Sequence, residues 1–185
     1  MATHANRPIA WVKSEGLGNP ENFYDPAIKE ANSQSFVIGD LVTVTPGTGT
    51  VSEFAANGRH LSGIAQTDAT NVTSGNIAIR IQKILANEVY EMNLTNNGSD
   101  VTGAITHLGK VYGLKDLGSG VWAVDTNSGT VTNANVQVVG FKLGPDYDEN
   151  GTSFVAAVGD VNPRVYVKFI TNDGTNSQIL DYGGM

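Results

Sequence analysis

The side chains that could do chemistry in this chain are few. His4, His60 and His107 are its only imidazole bases, and none lies in a motif that would bring a base to a serine nucleophile. The chain contains no cysteine, which excludes thiolate nucleophiles, disulfides and Cys-ligated zinc. No Gly-x-Ser-x-Gly elbow occurs in it. We therefore predict that the protein is not an enzyme and that it uses no cofactor.

Two glycine-containing segments invite comparison with phosphate-binding loops. Residues 46–50 (PGTGT) lack the Gly-Lys-Ser/Thr ending of a P-loop. Residues 16–18 (GLG) fall short of a dinucleotide fingerprint and precede Asn19-Pro20, which disfavours a helix start at that point. We predict that residues 46–50 form a turn and that neither segment binds phosphate.

One segment resembles the opening of a calcium-binding loop. Residues 146–151 (DYDENG) place oxygen-bearing side chains at alternate positions and a glycine at the sixth. The twelfth position is Ala157, where a calcium loop has a bidentate Glu, and neither flank has a helical pattern. We predict a solvated hairpin tip with no metal, and a structural calcium is the alternative.

The charge balance limits the possible partners. Lys and Arg total 11 against 18 Asp and Glu, for a formal net charge of -7, and no run of basic residues is present to neutralise successive phosphates. We expect neither nucleic acid nor an anionic membrane as a partner. No apolar stretch approaches the roughly 18 residues of a membrane span, so we expect folding in a cytoplasm.

The first 35 residues read as an N-terminal arm because they hold three of the six prolines and no sustained period. Within the arm, Asp25-Pro26 could start a short helix between residues 22 and 32. Residues 172–185 read as a polar tail. Both segments carry large aromatic side chains, which need a surface to cover them: Trp11, Phe23, Tyr24 and Tyr182. We predict that these residues bind a partner, and the alternative is that the protein's own body covers them.

Residues 36–171 read as a β body. β-Branched residues alternate with polar ones between clusters of Gly, Asn and Asp, and Ile77, Ile79 and Ile81 share one face of the clearest strand. The predicted strands cover residues 36–44, 59–66, 75–83, 88–94, 110–114, 121–125, 136–143 and 164–170, with residues 115–120 as a longer hairpin loop. Because helical crossovers are missing, we predict an all-β fold, an antiparallel barrel or sandwich.

Five segments together resemble the decoration, or cement, proteins of tailed-bacteriophage capsids. They are residues 39–42 (GDLV), 63–69 (GIAQTDA), 75–79 (GNIAI), 140–141 (GF) and 164–169 (RVYVKF). In that family a strand enters at a Gly-Asp step, a Gly-(Ile/Val)-Ala-x-x-Asp-Ala segment follows, and a closing strand ends in Lys/Thr-Phe. The region around residues 144–163 is longer here than the family pattern.

The resemblance implies a β-barrel-like or β-tulip-like body on the outer surface of an icosahedral head. The implied partner is the major capsid protein, and the implied assembly is a homo-oligomer, a trimer. The arms of its subunits would cross capsomer boundaries on the surface of the virion, which assembles in the host cytoplasm. Two other readings stay open. A carbohydrate-binding module would use Trp122 and the loop at residues 146–151, and a head or tail fibre protein would show long intertwined repeats.

Overall fold

A computed structural model describes residues 2–14, 22–23, 28–45, 47–55, 61–73, 77–85, 88–128, 136–148, 150–172 and 177–178. Its strands are β1 (Ala10–Ser14), β2 (Asn22–Phe23), β3 (Lys29–Glu30), β4 (Leu41–Thr45), β5 (Thr50–Glu53), β6 (Gly63–Ala65), β7 (Ile81–Lys83), β8 (Glu88–Thr95), β9 (Val111–Gly118), β10 (Val121–Asp125), β11 (Val136–Phe141), β12 (Gly144–Tyr147), β13 (Ser153–Ala156), β14 (Arg164–Phe169), β15 (Thr171–Asn172) and β16 (Ser177–Gln178). One 3₁₀ turn covers Ile105–His107. The predicted all-β fold is confirmed, since these described ranges contain no α-helix.

Five strands form a closed barrel in the order β8-β10-β9-β11-β14, and β14 pairs back onto β8. All of these pairings are antiparallel except that of β10 with β8, which is parallel. β8 pairs with three other strands, and we call it the hub of the barrel for that reason. It holds β14 on one side and, on the other, β10 at its C-terminal half and β1 at its N-terminal half.

The interior of the barrel follows from period-2 alternation. On β14, Val165, Val167 and Phe169 are fully buried while Tyr166 and Lys168 are partly exposed, as the sequence predicts. Tyr90 on β8 packs edge-on against Phe169, with ring centroids 5.2 Å apart. β8 buries residues on both faces because neighbouring segments cover its outer side as well.

The second sheet is curled, in the order β2-β7-β6-β4-β5-β3. Its two ends approach each other, because Ile79 N–H donates to the Ile28 carbonyl at 3.2 Å and Glu30 N–H donates to the Ile77 carbonyl at 3.1 Å. The curl encloses a small core of its own: Ile28, Phe36, Val42, Val51, Ala65, Ile79 and Ile81. Leu41, Phe54 and Ile64 from the same sheet join the larger barrel core, so apolar packing connects the two sheets.

The β9–β10 hairpin docks on the curled sheet at a contact that only glycine allows. A Cβ on Gly120 would lie 2.2 Å from the Ile38 carbonyl oxygen, and one on Gly39 would lie 2.6 Å from the Gly120 carbonyl oxygen. Ser119 and Gly120 have φ of 54° and 77°, which is typical of a tight two-residue turn. The longer loop predicted for residues 115–120 is therefore wrong, since β9 continues to Gly118 and pairs there with Val121.

Several local predictions differ from the structure. The predicted helix between residues 22 and 32 is absent from the described part of that segment, where β2 and β3 lie instead. Of the strand predicted over residues 75–83, the described residues 77–83 form β7 from Ile81 onward, preceded by an isolated bridge between Ala78 and Lys29. Within the predicted arm, β1, β2 and β3 each pair with a strand that begins beyond residue 35.

Candidate functional site

Two of the four predicted partner-binding residues lie in described strands. Trp11 lies in β1, where its backbone pairs with Tyr90 and its half-buried side chain packs against the barrel core. Phe23 lies in β2, paired with Ile81. Tyr24 and Tyr182 lie outside the described residues. Trp11 and Phe23 therefore lie in different sheets, and for Trp11 the protein's own body supplies the covering surface.

The N-terminal segment is fastened to the barrel by backbone pairing. His4 N–H donates to the Val161 carbonyl at 3.0 Å, and Val161 N–H donates to the Ala2 carbonyl at 2.7 Å. Asn93, fully buried on β8, continues the attachment: its amide donates to the Ala5 carbonyl at 3.1 Å and its carbonyl accepts the Arg7 N–H at 3.2 Å. Residues 2–8 are thus part of the folded structure.

His4 lies between two carboxylates. Its Nδ1 is 2.8 Å from Asp146 Oδ2 and its Nε2 is 3.5 Å from Asp160 Oδ2. The His4 side chain is only 1% exposed and packs edge-on against Phe154, with ring centroids 4.8 Å apart. The arrangement joins the N-terminal segment, the β12–β13 hairpin and the loop before β14 at one point.

Both carboxylates in this cluster are held in the ionised form. Burial alone would raise the pKa of Asp146, but the Tyr147 N–H, the His4 ring, Lys142 and Arg7 outweigh it and lower that pKa below its usual value. For Asp160, burial also acts to raise the pKa, and the N–H groups of Ala2 and Ala157 together with His4 lower it overall. The N–H groups, Arg7 and Lys142 therefore stabilise the two carboxylates as anions, while His4 Nε2 has no hydrogen-bond partner among the described residues.

A second set of charges extends the network across β8. Arg164, buried on β14, contacts Glu91 and donates from Nη1 to Asn93 Oδ1 at 2.9 Å. Lys142 Nζ lies 3.0 Å from Glu91 Oε1 and 3.8 Å from Asp146 Oδ1. Burial lowers the pKa of Arg164, and Glu91 partly offsets that effect. These pairings connect β8, β14 and the segment that follows β11.

The segment resembling a calcium loop lies in the β12–β13 hairpin, as predicted, but its first residue is not solvated, since Asp146 is 1% exposed within β12. Asp146 turns inward and Arg7 Nη1 approaches its Oδ1 to 2.9 Å. Asp148 Oδ1 accepts the N–H groups of Asn150 and Thr152 at 2.9 and 2.8 Å. Among the described residues, no group of three or more His, Asp or Glu side chains is arranged to hold a metal ion.

His107 contacts a tyrosine hydroxyl on β9. His107 Nδ1 lies 2.7 Å from the Tyr112 hydroxyl, and burial together with Lys110 lowers the pKa of His107. No carboxylate within the described ranges forms an ion pair with His107. His60 lies outside the described residues.

A cavity of about 380 Å³ lies where the curled sheet meets the barrel. Glu53, Phe54, Ala55, Asp116 and Trp122 line it. Desolvation raises the pKa of Glu53, and the neighbouring charges of Asp40 and Asp116 raise it further. Trp122 is 1% exposed and donates from Nε1 to Asp40 Oδ1 at 3.1 Å. A sugar therefore cannot stack on this indole as the structure stands.

The most exposed apolar side chains include those on the outer face of the β12–β13 hairpin. Pro145 and Val155 face each other across the two strands, and Tyr147 follows on the same face. Leu143 and Val158 flank the open end of the hairpin. Val155 is 76% exposed and Leu143 is 63% exposed. We call these five residues the hairpin face.

The hairpin face was not predicted from the sequence, because no strand was assigned between residues 143 and 164. The sequence does carry a signal for it: Leu143, Pro145 and Tyr147 occupy every second position, separated by Gly144 and Asp146, and the turn-forming Asp148 and Gly151 follow. Surfaces of clustered, exposed apolar side chains mark interaction sites more often than single exposed residues do.

Comparison with family models, with curated proteins and with solved structures finds no match to this chain. None of the described segments forms a helix with the length and apolarity that a bilayer crossing requires.

Proposed function

We propose that this protein is a structural virion component that binds the outer surface of a tailed-bacteriophage capsid and stabilises it by bridging major capsid subunits. The observation that carries the proposal is the hairpin face, an exposed apolar surface on a rigid all-β scaffold. The decoration-protein resemblance supplies the partner. The bound form is a homo-oligomer, and the resemblance favours a trimer.

The fixed position of the hairpin suits it to a docking role. His4, Asp146 and Arg7 attach its inner side to the N-terminal segment, while Arg7 also donates to the Tyr147 carbonyl at 3.1 Å. A surface already held in its bound geometry loses little conformational entropy on binding. Many weak contacts of this kind, repeated over a shell, stabilise it through mass action on the assembled state.

The experiment is co-sedimentation with tailed-phage capsids that lack their decoration protein. Leu143→Asp places a charge in the hairpin face, and Ile105→Asp is the matched control because Ile105 is 62% exposed on the 3₁₀ turn outside that face. We expect wild type and Ile105→Asp to pellet with capsids and to raise their melting temperature. Leu143→Asp should bind at least tenfold more weakly, since it leaves an unpaired charge in the contact.

Point variants are preferable to a deletion of the arm. Removing residues 1–35 would delete β1, β2 and β3 together with His4, so loss of binding could reflect loss of the fold. A wild-type protein that ignores every capsid offered would contradict the proposal. Equal binding by Leu143→Asp and Ile105→Asp would mean that the hairpin face is not the surface that contacts the capsid.

The alternative readings have less support from the geometry. In a carbohydrate-binding module Trp122 would have to be exposed for stacking, and it is buried against Phe54 and Asp40. The carboxylate of Asp146 is occupied by His4 and Arg7. Binding to a glycan array that is lost on metal chelation would support the carbohydrate-binding alternative.

A further inference from the structure

β13 has an open edge. Asp148 N–H donates to the Thr152 carbonyl at 3.0 Å, so the hydrogen-bonded positions of β13 continue at Phe154 and Ala156. Ser153 and Val155 therefore direct their N–H and C=O groups away from β12. In the part of the chain that the structure describes, β13 pairs with β12 alone.

Apart from the short length of β13, four residues, the edge shows none of the usual protections against strand addition within the described part of the chain. Natural edge strands are blunted by Lys, Pro, bulges or a covering segment. Residues 150–159 (NGTSFVAAVG) contain no charged residue and no proline, and β13 pairs with β12 without a register shift. Val155, at the centre of the edge, is 76% exposed. Such an edge is a template for another strand.

We propose that β13 pairs antiparallel with β13 of a second copy of this chain, across a two-fold axis at Phe154. In that register Ser153 lies opposite Val155 of the second copy, and Val155 lies opposite its Ser153. Both residues direct their backbone groups outward, so the two pairs exchange about four backbone hydrogen bonds. The two hairpins become one four-stranded sheet.

Charge is the reason for choosing a second copy as the occupant. The whole chain has a net charge of -7, so two copies repel at most surfaces. In the proposed register, residues 150–158 of one copy lie beside residues 158–150 of the other, and this stretch is uncharged. A charged partner strand would lose hydration at this edge without gaining an opposite charge. A second β13 brings an uncharged strand whose backbone groups match.

The pairing is independent of capsid binding. It joins two hairpin faces into one continuous apolar surface, because Tyr147 and Val155 of both copies lie on the same side of the four-stranded sheet. In a trimeric assembly, the two-fold contact would link subunits of neighbouring trimers. The contact is therefore testable with the protein alone in solution.

The first test is site-specific disulfide formation. Because the chain has no native cysteine, only the introduced residues can form a disulfide. Ser153→Cys and Val155→Cys proteins, one of them mass-tagged, are mixed under mild oxidation. The register places residue 153 opposite residue 155 with Cα atoms about 5.5 Å apart, within disulfide range. We expect mixed Ser153→Cys/Val155→Cys dimers to exceed either symmetric dimer. A mixture of Ile105→Cys with Val155→Cys is the control for random collision.

The second test is sedimentation equilibrium. Val155→Pro removes one N–H donor per copy, hence two hydrogen bonds from the seam, and we expect the dissociation constant to rise about thirtyfold. Val155→Lys leaves the backbone intact and introduces a protective charge, so it should also weaken association. Ile105→Lys should not change it. Circular dichroism confirms that each variant is folded before it is compared.

Three results would overturn the proposal. The first is a wild type that stays monomeric up to about 1 mM, where even a weak specific contact is half occupied. The second is a cross-linking yield for the 153/155 mixture no greater than that of the Ile105→Cys control. The third is an association constant that Val155→Lys and Ile105→Lys change equally. Capsid binding could persist in each case, so failure here is distinct from failure of the proposed function.

Discussion

Replacing Asp40 by Ala is the sharpest probe of how the two sheets are held together. Asp40 is buried, and its carboxylate accepts two hydrogen bonds: Oδ1 from Trp122 Nε1 at 3.1 Å and Oδ2 from Val37 N at 2.8 Å. Trp122 belongs to the barrel and Asp40 lies at the entrance of β4 in the curled sheet. The substitution removes both acceptors and leaves an indole N–H buried without a partner.

The expected loss of stability follows from these two contacts. A hydrogen bond to a charged group contributes about 1.5–3 kcal/mol, so the gross loss is about 3–6 kcal/mol. Two effects reduce it: the variant no longer buries a carboxylate, and it no longer repels Glu53, whose pKa Asp40 helps to raise. We expect a net decrease of about 2–4 kcal/mol in the free energy of unfolding.

Urea denaturation followed by tryptophan fluorescence measures the effect. Asp40→Asn is the matched control, since its single carbonyl can accept only one of the two hydrogen bonds, and it should lose about half as much. A double-mutant cycle with Trp122→Phe isolates the bond between the sheets, with an expected coupling of about 1–3 kcal/mol. If Asp40→Ala costs under about 0.5 kcal/mol, or the coupling is near zero, the reasoning fails.

Three further predictions concern other parts of the fold. Gly120→Ala would place a Cβ 2.2 Å from the Ile38 carbonyl oxygen at a φ of 77°. Because left-handed strain alone costs about 1–2 kcal/mol, we expect the free energy of unfolding in urea to fall by more than about 2 kcal/mol. Gly118→Ala is the control, since a Cβ there would meet nothing within 4 Å and should show the strain alone. Asn93→Ala should lower the unfolding free energy by about 2–4 kcal/mol, because the Arg7 N–H and the Ala5 carbonyl lose their partner; a cost below about 1 kcal/mol would mean that water replaces the amide. The pKa of Asp146 is lower in the folded state than the ordinary value of 3.8, so its contribution to stability is complete above about pH 5 and is lost as pH falls through the folded pKa. Thermal melts between about pH 2 and 6 should show a smaller loss of stability in acid for Asp146→Asn than for wild type, and parallel curves would argue against the network.

The barrel strands could be predicted from sequence where alternation is strong. Residues 164–170 and 88–94 place large apolar side chains at every second position, and both segments form strands close to the predicted bounds. Their partners could not be predicted. β8 binds a strand that begins 78 residues earlier and another that begins 76 residues later, and no local pattern encodes such distant pairings.

The N-terminal segment shows how tertiary contacts override local preference. Asp25-Pro26 is a reasonable helix start, yet Ile28 is buried in the curled core and the buried side chain of Glu30 accepts the Thr70 N–H at 2.7 Å. Each contact requires an extended chain. Similarly, nothing near His4 indicated that it would lie between Asp146 and Asp160, because both carboxylates are more than 140 residues away.

The hub position of β8 sets the order in which the molecule can be completed during synthesis. β8 ends at Thr95, but the strand that closes the barrel on it ends at Phe169. At about 5–20 residues per second, a ribosome needs roughly 4–15 s to make the intervening chain. Throughout that interval Tyr90, Met92 and Leu94 have no β14 to cover them. A nascent chain paused before residue 164 should therefore be the form that chaperones recognise.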